Sequence, residues 1–272
     1  MKSSGVKTIM KVLKADIRLS SMVSMRCPLG NFTYPMPPPL TIKGLLANAL
    51  WQVHSTSRGE DGQHPALTWL KLVEDNLDKR IWVQPKGLIV SGYSTLKSIF
   101  SKGKGGDGGK LILDGSSVLD IDILPRQFLF APEGFRVFVA SEDGSFLDAV
   151  ADALRHAPVY LGDSEGLANV MNPEVVEAKE EQPSGPVPVS VYFPDDLALN
   201  NGIDGDGGTL YWVNERAIMP GEKKDKQDAM VSYLFPVIQH GKTFRPSELI
   251  VRFNGKARLL KAFGEVLPLR KG

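Results

Sequence analysis

Apolar and polar residues alternate through the centre of the segment 9–25 (I-M-K-V-L-K-A-D-I-R-L-S-S-M-V-S-M), the two-residue period of a half-buried strand. A helical period follows a loop rich in proline, R-C-P-L-G-N-F-T-Y-P-M-P-P-P-L: Ile42, Leu45, Leu46, Ala49 and Val53 recur on one face, with Thr41 placed as N-cap. The prolines fix φ and remove amide donors, which makes that loop extended and ordered. A polar breaker over 55–65 leads to a second helix over 66–78, with Leu67, Leu70, Val73 and Leu77 aligned. The segment 80–93 reads as a strand pair or one bent strand, and 111–123 and 126–140 are strand-like. Asp143 or Ser145 can cap a helix over 146–156, whose stripe is Phe146, Ala149, Val150, Ala153 and Leu154. An acidic segment, 173–181, ends in P-S-G-P-V-P and suggests a boundary; beyond it 187–193, 210–219, 230–238 and 248–253 read as strands.

The order strand, helix, strand, strand, helix, strand predicts an α+β protein. A ferredoxin-like, RRM-type domain occupies 1–182, with a long insertion between its middle strands at about 91–125. A smaller β-rich module occupies 183–272.

Composition narrows the function. The 272 residues, 42% hydrophobic, suffice for one large domain or two small ones. A formal charge of +1 gives no whole-molecule attraction for nucleic acid, so any RNA contact is local. Cys27 stands alone, which excludes an intramolecular disulfide and a cysteine-built zinc site and fits a reducing compartment. Neither a signal peptide nor a membrane span fits the N-terminal residues, so a soluble cytoplasmic protein is expected. H-E-x-x-H, a Walker-type loop and G-x-S-x-G are all missing, and no cofactor, metal or small-molecule substrate is called for.

Local chemistry is more informative. Between Lys97 and Lys110 stand four lysines, Lys97, Lys102, Lys104 and Lys110, against Asp107 alone, so +4 and −1 give a local +3. The glycines among them let a backbone approach RNA closely. A solvated surface loop is the competing reading. Thr41, Lys43 and Gly44 lie at a helix N-terminus, which favours an anion such as phosphate, although an ordinary cap with a solvent-facing lysine fits as well. In L-G-D-S-E-G, Gly162 and Ser164 could turn amides and a hydroxyl toward a backbone; Asp163 and Glu165 argue against it, and a plain tight turn is the alternative. Tyr34 could stack on a base or simply pack. His54, His64, His156 and His240 are the candidate proton acceptors for RNA cleavage, and none lies near the lysine-rich segment.

Two segments, T-Y-P-M-P-P-P-L-T-I-K-G-L-L-A-N-A-L-W and P-V-Y-L-G-D-S-E-G-L-A-N-V, in that order and at that separation, resemble the Cas-five family of CRISPR-associated RAMP proteins, particularly its type I-A, archaeal-type branch. The likeness spans 9 to about 170. It implies a non-catalytic subunit of a type I Cascade effector that binds and caps the 5′ handle of the guide RNA (crRNA). Its expected partners are a backbone RAMP subunit and a large subunit. It also implies a β-hairpin thumb, here the 91–125 insertion. The RNA-contact candidates are then Arg26, Tyr34, Thr41, Lys43, Gly44, Lys97, Lys102, Lys104, Lys110, Gly162 and Ser164. Two alternatives remain: a metal-independent endoribonuclease that processes precursor crRNA, as some relatives are, and a structural subunit of a type III effector.

Overall fold

In the computed structural model the chain runs β1 (Lys11–Leu19), α1 (Pro39–His54), α2 (Pro65–Leu77), β2 (Ile81–Pro85), β3 (Ile89–Ser101), β4 (Leu119–Phe130), β5 (Phe135–Ser141), α3 (Gly144–His156), β6 (Val159–Tyr160) and β7 (Leu167–Glu177). The structure describes residues 9–25, 32–54, 65–101, 119–162, 166–204, 207–216 and 230–271. Five of these strands form an antiparallel sheet in the order β2-β5-β1-β7-β6. Setting aside β6, the strands follow the 2-3-1-4 order of a ferredoxin-like unit, as expected from the element order.

β1 has one apolar face, Leu13, Ala15 and Ile17, and one mixed face, Val12, Lys14, Asp16 and Arg18, of which the Val12 end is covered. Leu13, Ala15 and Ile17 pack with Ile42, Leu46 and Leu50 of α1 and with Leu147, Val150 and Leu154 of α3. Val12, on the other side, joins Trp82, Phe138 and Ala140 against strands of the C-terminal part. The sheet face that an RRM offers to RNA bases is therefore occupied by protein at that end. The Trp82 indole donates to Pro268 O at 2.8 Å and pins that cover in place.

The C-terminal part consists of β8 (Lys179–Glu181), β9 (Pro186–Val189), β10 (Phe193–Pro194), β11 (Ala198–Asp204), β12 (Thr209–Asn214), β13 (Met230–Phe235), β14 (Val237–His240), β15 (Thr243–Pro246), β16 (Leu249–Phe253), β17 (Ala257–Ala262) and β18 (Glu265–Arg270). They build three small sheets and one pairing that matters for function: β14-β15 extends the β3-β4 hairpin into a four-stranded sheet. The boundary drawn at 182/183 falls between β8 and β9, and both hydrophobic cores take residues from either side of it.

The expected insertion is a long hairpin. β3 and β4 pair without a register shift from Val90↔Phe130 to Ser101↔Leu119, a ribbon of roughly 40 Å. Other expectations are corrected. The first strand ends at Leu19 instead of continuing to residue 25, where only Val23 makes a bridge, to Leu129. α1 starts at Pro39, so Thr41 is inside its first turn rather than its cap; proline suits the first helical position because it has no amide to leave unpaired. The acidic stretch 173–181, given no element from the sequence, is largely strand: Lys11 and Lys14 of β1 stand in register with Glu177 and Glu174, and Lys14 Nζ reaches Glu174 at 3.2 Å. Among the described residues no helix is long and apolar enough to cross a membrane.

One ion cluster fixes the end of the sheet nearest the hairpin. Asp16 accepts from Lys86 Nζ at 2.7 Å and from Arg136 Nε at 2.8 Å. Burial pulls the Asp16 carboxyl up, but the hydrogen bonds from Arg136 and Lys86 outweigh it and hold it below its ordinary 3.8. A depressed folded-state value stabilises the protein above the ordinary value, and that stability is lost as pH falls through the lower one. Asp16→Asn should therefore flatten the acid limb of stability in urea titrations run from about pH 6 to about pH 2. Parallel loss in wild type and variant would refute the assignment.

Candidate nucleic-acid interface

Along α1, Thr41, Gly44, Leu45 and Asn48 share one face, as positions three and four apart must. Opposite them, directly after α3, come Tyr160 and Gly162. Together with Met25 these residues line a cavity of about 330 Å³ that opens to solvent. Among the described residues no charged side chain lines it.

The backbone geometry of the site has identifiable causes. Gly162 has φ +83°, and a Cβ there would lie 2.5 Å from Ser24 O, so a larger residue would strain the turn and push into the chain leaving β1. Gly44 is helical, and a Cβ on it would meet nothing within 4 Å; its bare backbone contributes open space. Met25 is held in place from the hairpin side. Its amide donates to Thr33 Oγ1 at 2.5 Å, the Thr33 amide donates to Gln127 Oε1 at 2.8 Å, and Val23 exchanges backbone bonds with Leu129. The groove and the base of the hairpin are thus one rigid unit.

Two candidates do not face the groove. Lys43 is 1% exposed and points inward: its Nζ donates to Glu74 Oε2 and to Glu215 O, both at 2.6 Å. A phosphate therefore cannot use it without breaking a buried pair. Tyr34 is 2% exposed, its hydroxyl donates to Trp212 O at 2.6 Å, and its ring packs against Phe235 and Tyr211; it is a core residue and not a stacking platform. The helix N-terminus is also less open to an anion than its position suggests. Pro39 has no N–H, and the Thr41 and Ile42 amides both point to Pro38 O, at 3.0 and 3.3 Å.

Thr41, Gly44 and Gly162 are brought together as expected candidates. Arg26, Lys102, Lys104, Lys110 and Ser164 lie outside the described residues, as does the side chain of Lys97, whose backbone stands in β3 opposite Ile123. Sequence reasoning missed Asn48 and Tyr160. Asn48 is one helical turn beyond Gly44, and Tyr160 precedes Leu161 and Gly162, so projecting each motif onto its element finds both.

Beneath Glu215 lies a buried polar network. Tyr233 donates to the Glu215 carboxylate at 2.6 Å, and Lys79 lies 3.8 Å from it. Burial, then the Glu215 charge, push the Tyr233 hydroxyl well above 10, which keeps it a proton donor. His54, His156 and His240 are exposed on α1, α3 and β14, while His64 lies outside the described residues. The His156 Nδ1 is 2.9 Å from Asp152 O, a local helix-end contact. No group of three or more metal-ligating side chains occurs among the described residues. A larger cavity, about 540 Å³, lies by the opposite end of β1; ion pairs cross it, Arg80 to Glu142 at 3.4 Å and Arg258 to Glu180 at 3.1 Å.

No protein-family model matches this chain, and no curated protein matches it in sequence. Solved structures do. The chain shares its fold with a CRISPR protein from Archaeoglobus fulgidus, at TM-score 0.53 and 17% identity, over 97% of this chain and 100% of that one. More distant likenesses are to a chain of a Type III-B Cmr-beta complex bound to cognate target RNA (TM-score 0.42, 12% identity, 89% of this chain and 86% of that one) and to a chain of a CRISPR RNA-guided surveillance complex (0.35, 12%, 96% and 90%).

Proposed function

We propose that this protein is a non-catalytic RNA-binding subunit of a CRISPR ribonucleoprotein, holding the 5′ handle of the guide RNA in a type I effector and contacting its backbone and large subunits. The observation that carries this reading is convergence. The two segments that resemble the Cas-five family are remote in sequence, yet Thr41, Gly44 and Asn48 of one and Tyr160 and Gly162 of the other line a single open groove. That groove is anchored to the base of a long hairpin whose tip sequence is rich in lysine and glycine.

The neutral lining among the described residues divides the labour. A lining that, among the described residues, carries no cation and includes the exposed Tyr160 ring suits a base and its sugar, because stacking requires no charge. Neutralising phosphate falls to the lysines of the hairpin tip. Lys102→Ala with Lys104→Ala should then lower the slope of log affinity against log salt by about one to two, at about 0.7 per phosphate on a single strand. An unchanged slope would remove the tip from the interface. Repeat RNA incubated with the protein in EDTA should stay intact; cleavage lost in His54→Ala or His156→Ala would overturn the non-catalytic reading.

A further inference from the structure

We propose that RNA leaves this groove past Tyr160 and crosses the uncovered end of the sheet, where Leu167 supports a second base and Arg18 neutralises the phosphate beside it; the inference rests on the reading above, that RNA occupies the groove.

The sheet face opposite the helices is closed at one end only. Val12, Trp82, Phe138 and Ala140 lie under the C-terminal part, whereas Arg18, farther along the same face of β1, is exposed. Tyr160 and Leu167 stand directly opposite each other on β6 and β7, 48% and 42% exposed, while the alternate residues Val159 and Ala168 are buried in the helix-side core. Asn169 follows Leu167 on that face and is in register with Arg18. Tyr160, Leu167, Asn169 and Arg18 thus make one surface, and it begins at the groove, because Tyr160 lines both. Two strand spacings and two residues separate Tyr160 from Arg18, about 12 Å between Cα atoms. A strand lying on Tyr160 therefore reaches Arg18 without leaving the surface.

Charge singles out Arg18. The other cations that reach this face are engaged, Lys14 by Glu174 at 3.2 Å, and Lys86 and Arg136 by Asp16 at 2.7 and 2.8 Å. Asp16, which precedes Arg18 on the same face, is thereby occupied, and Arg18 has no hydrogen-bond or ion-pair partner among the described residues. An open guanidinium beside an aromatic ring and an apolar side chain suits single-stranded RNA, which sets phosphates on cations and bases on flat or apolar surfaces. Arg18 also supplies a charge that the groove lining, among the described residues, lacks.

The test uses the full chain and the shortest labelled adenosine oligomer that reaches full affinity, so that the RNA has no room to slide, read by fluorescence anisotropy. Losing one neutralised phosphate costs about eightfold in affinity at about 50 mM salt and lowers the slope of log affinity against log salt by about 0.7. Arg18→Gln should show both effects, and Arg18→Lys should recover most of the loss. Arg252→Gln, which removes the same charge from an exposed position on β16, should cost about twofold or less. Oligomers with one neutral methylphosphonate linkage at each position in turn locate the contact. At one linkage the wild type should lose about eightfold, and Arg18→Gln should suffer no further loss there. Leu167→Ala should weaken the intact oligomer more than one made abasic at a nucleotide adjoining that linkage. Equal losses in Arg18→Gln and Arg252→Gln, or a linkage series with no position coupled to Arg18, overturns this inference. If Gly44→Glu still lowers RNA affinity in that case, the groove keeps its proposed function; if Gly44→Glu changes nothing, or no RNA binds, the functional reading fails and this inference with it.

Discussion

Gly44→Glu should abolish most RNA binding while leaving the protein folded and slightly more stable. Gly44 is exposed in α1, and a new Cβ there meets nothing within 4 Å, so the side chain enters open groove without displacing a neighbour. Removing glycine from a helix interior gains about 0.5–1 kcal/mol. For a chain of this size that is a rise of roughly 1–4 °C in Tm. Against RNA the same carboxylate is a like charge. At about 5 Å from a phosphate, with an effective dielectric near 20, the repulsion is roughly 3 kcal/mol, or about a hundredfold in affinity before salt screening. Gly44→Ala and Gly44→Gln separate bulk from charge: both should share the rise in Tm, and only the acid should lose RNA by that factor. Stability that rises with affinity unchanged would show that RNA takes another path.

The fold was legible where one element meets one environment. α3 announces itself, with a single apolar stripe and Asp143 accepting from the Ser145 and Phe146 amides at its start. α1 was legible as a helix but not in its orientation. Ile42, Lys43, Leu45, Leu46, Ala47, Ala49 and Leu50 are all buried, because the C-terminal part covers the side that sequence alone would turn to water. The partners that draw Lys43 and Tyr34 inward lie 31, 172 and 178 residues away, and no local pattern reports them. The β17-β18 hairpin was missed for a related reason. Its two-residue turn is Phe263 and Gly264, at φ +56° and +81°, and a phenylalanine is not a residue that advertises a left-handed turn. Of the groove, the glycines and Thr41 could be read from motif spacing, and Asn48 and Tyr160 lie one step along the same elements; that the two elements meet in one cavity could not be read from either.

Lys43→Ala should be among the most destabilising single changes in the protein, for reasons unrelated to RNA. The ammonium is 1% exposed and joins three elements: α1, which carries it, α2 through the Glu74 carboxylate, and the end of β12 through Glu215 O. Truncation takes the cation away from a carboxylate that is 11% exposed, opens a cavity and leaves the Glu215 carbonyl without this donor. Breaking a buried pair from one side costs about 3–5 kcal/mol, or roughly 6–20 °C in Tm here. Replacing both members by apolar side chains of similar volume is far less costly, so Lys43→Met with Glu74→Leu should recover most of the loss. The coupling between the two sites, from a double-mutant cycle in urea, should exceed about 1.5 kcal/mol. The same double variant decides what Lys43 is for: because the ammonium faces away from the groove, RNA affinity and its salt slope should match wild type. A refolded double variant that binds RNA weakly with a smaller salt slope would return Lys43 to the interface.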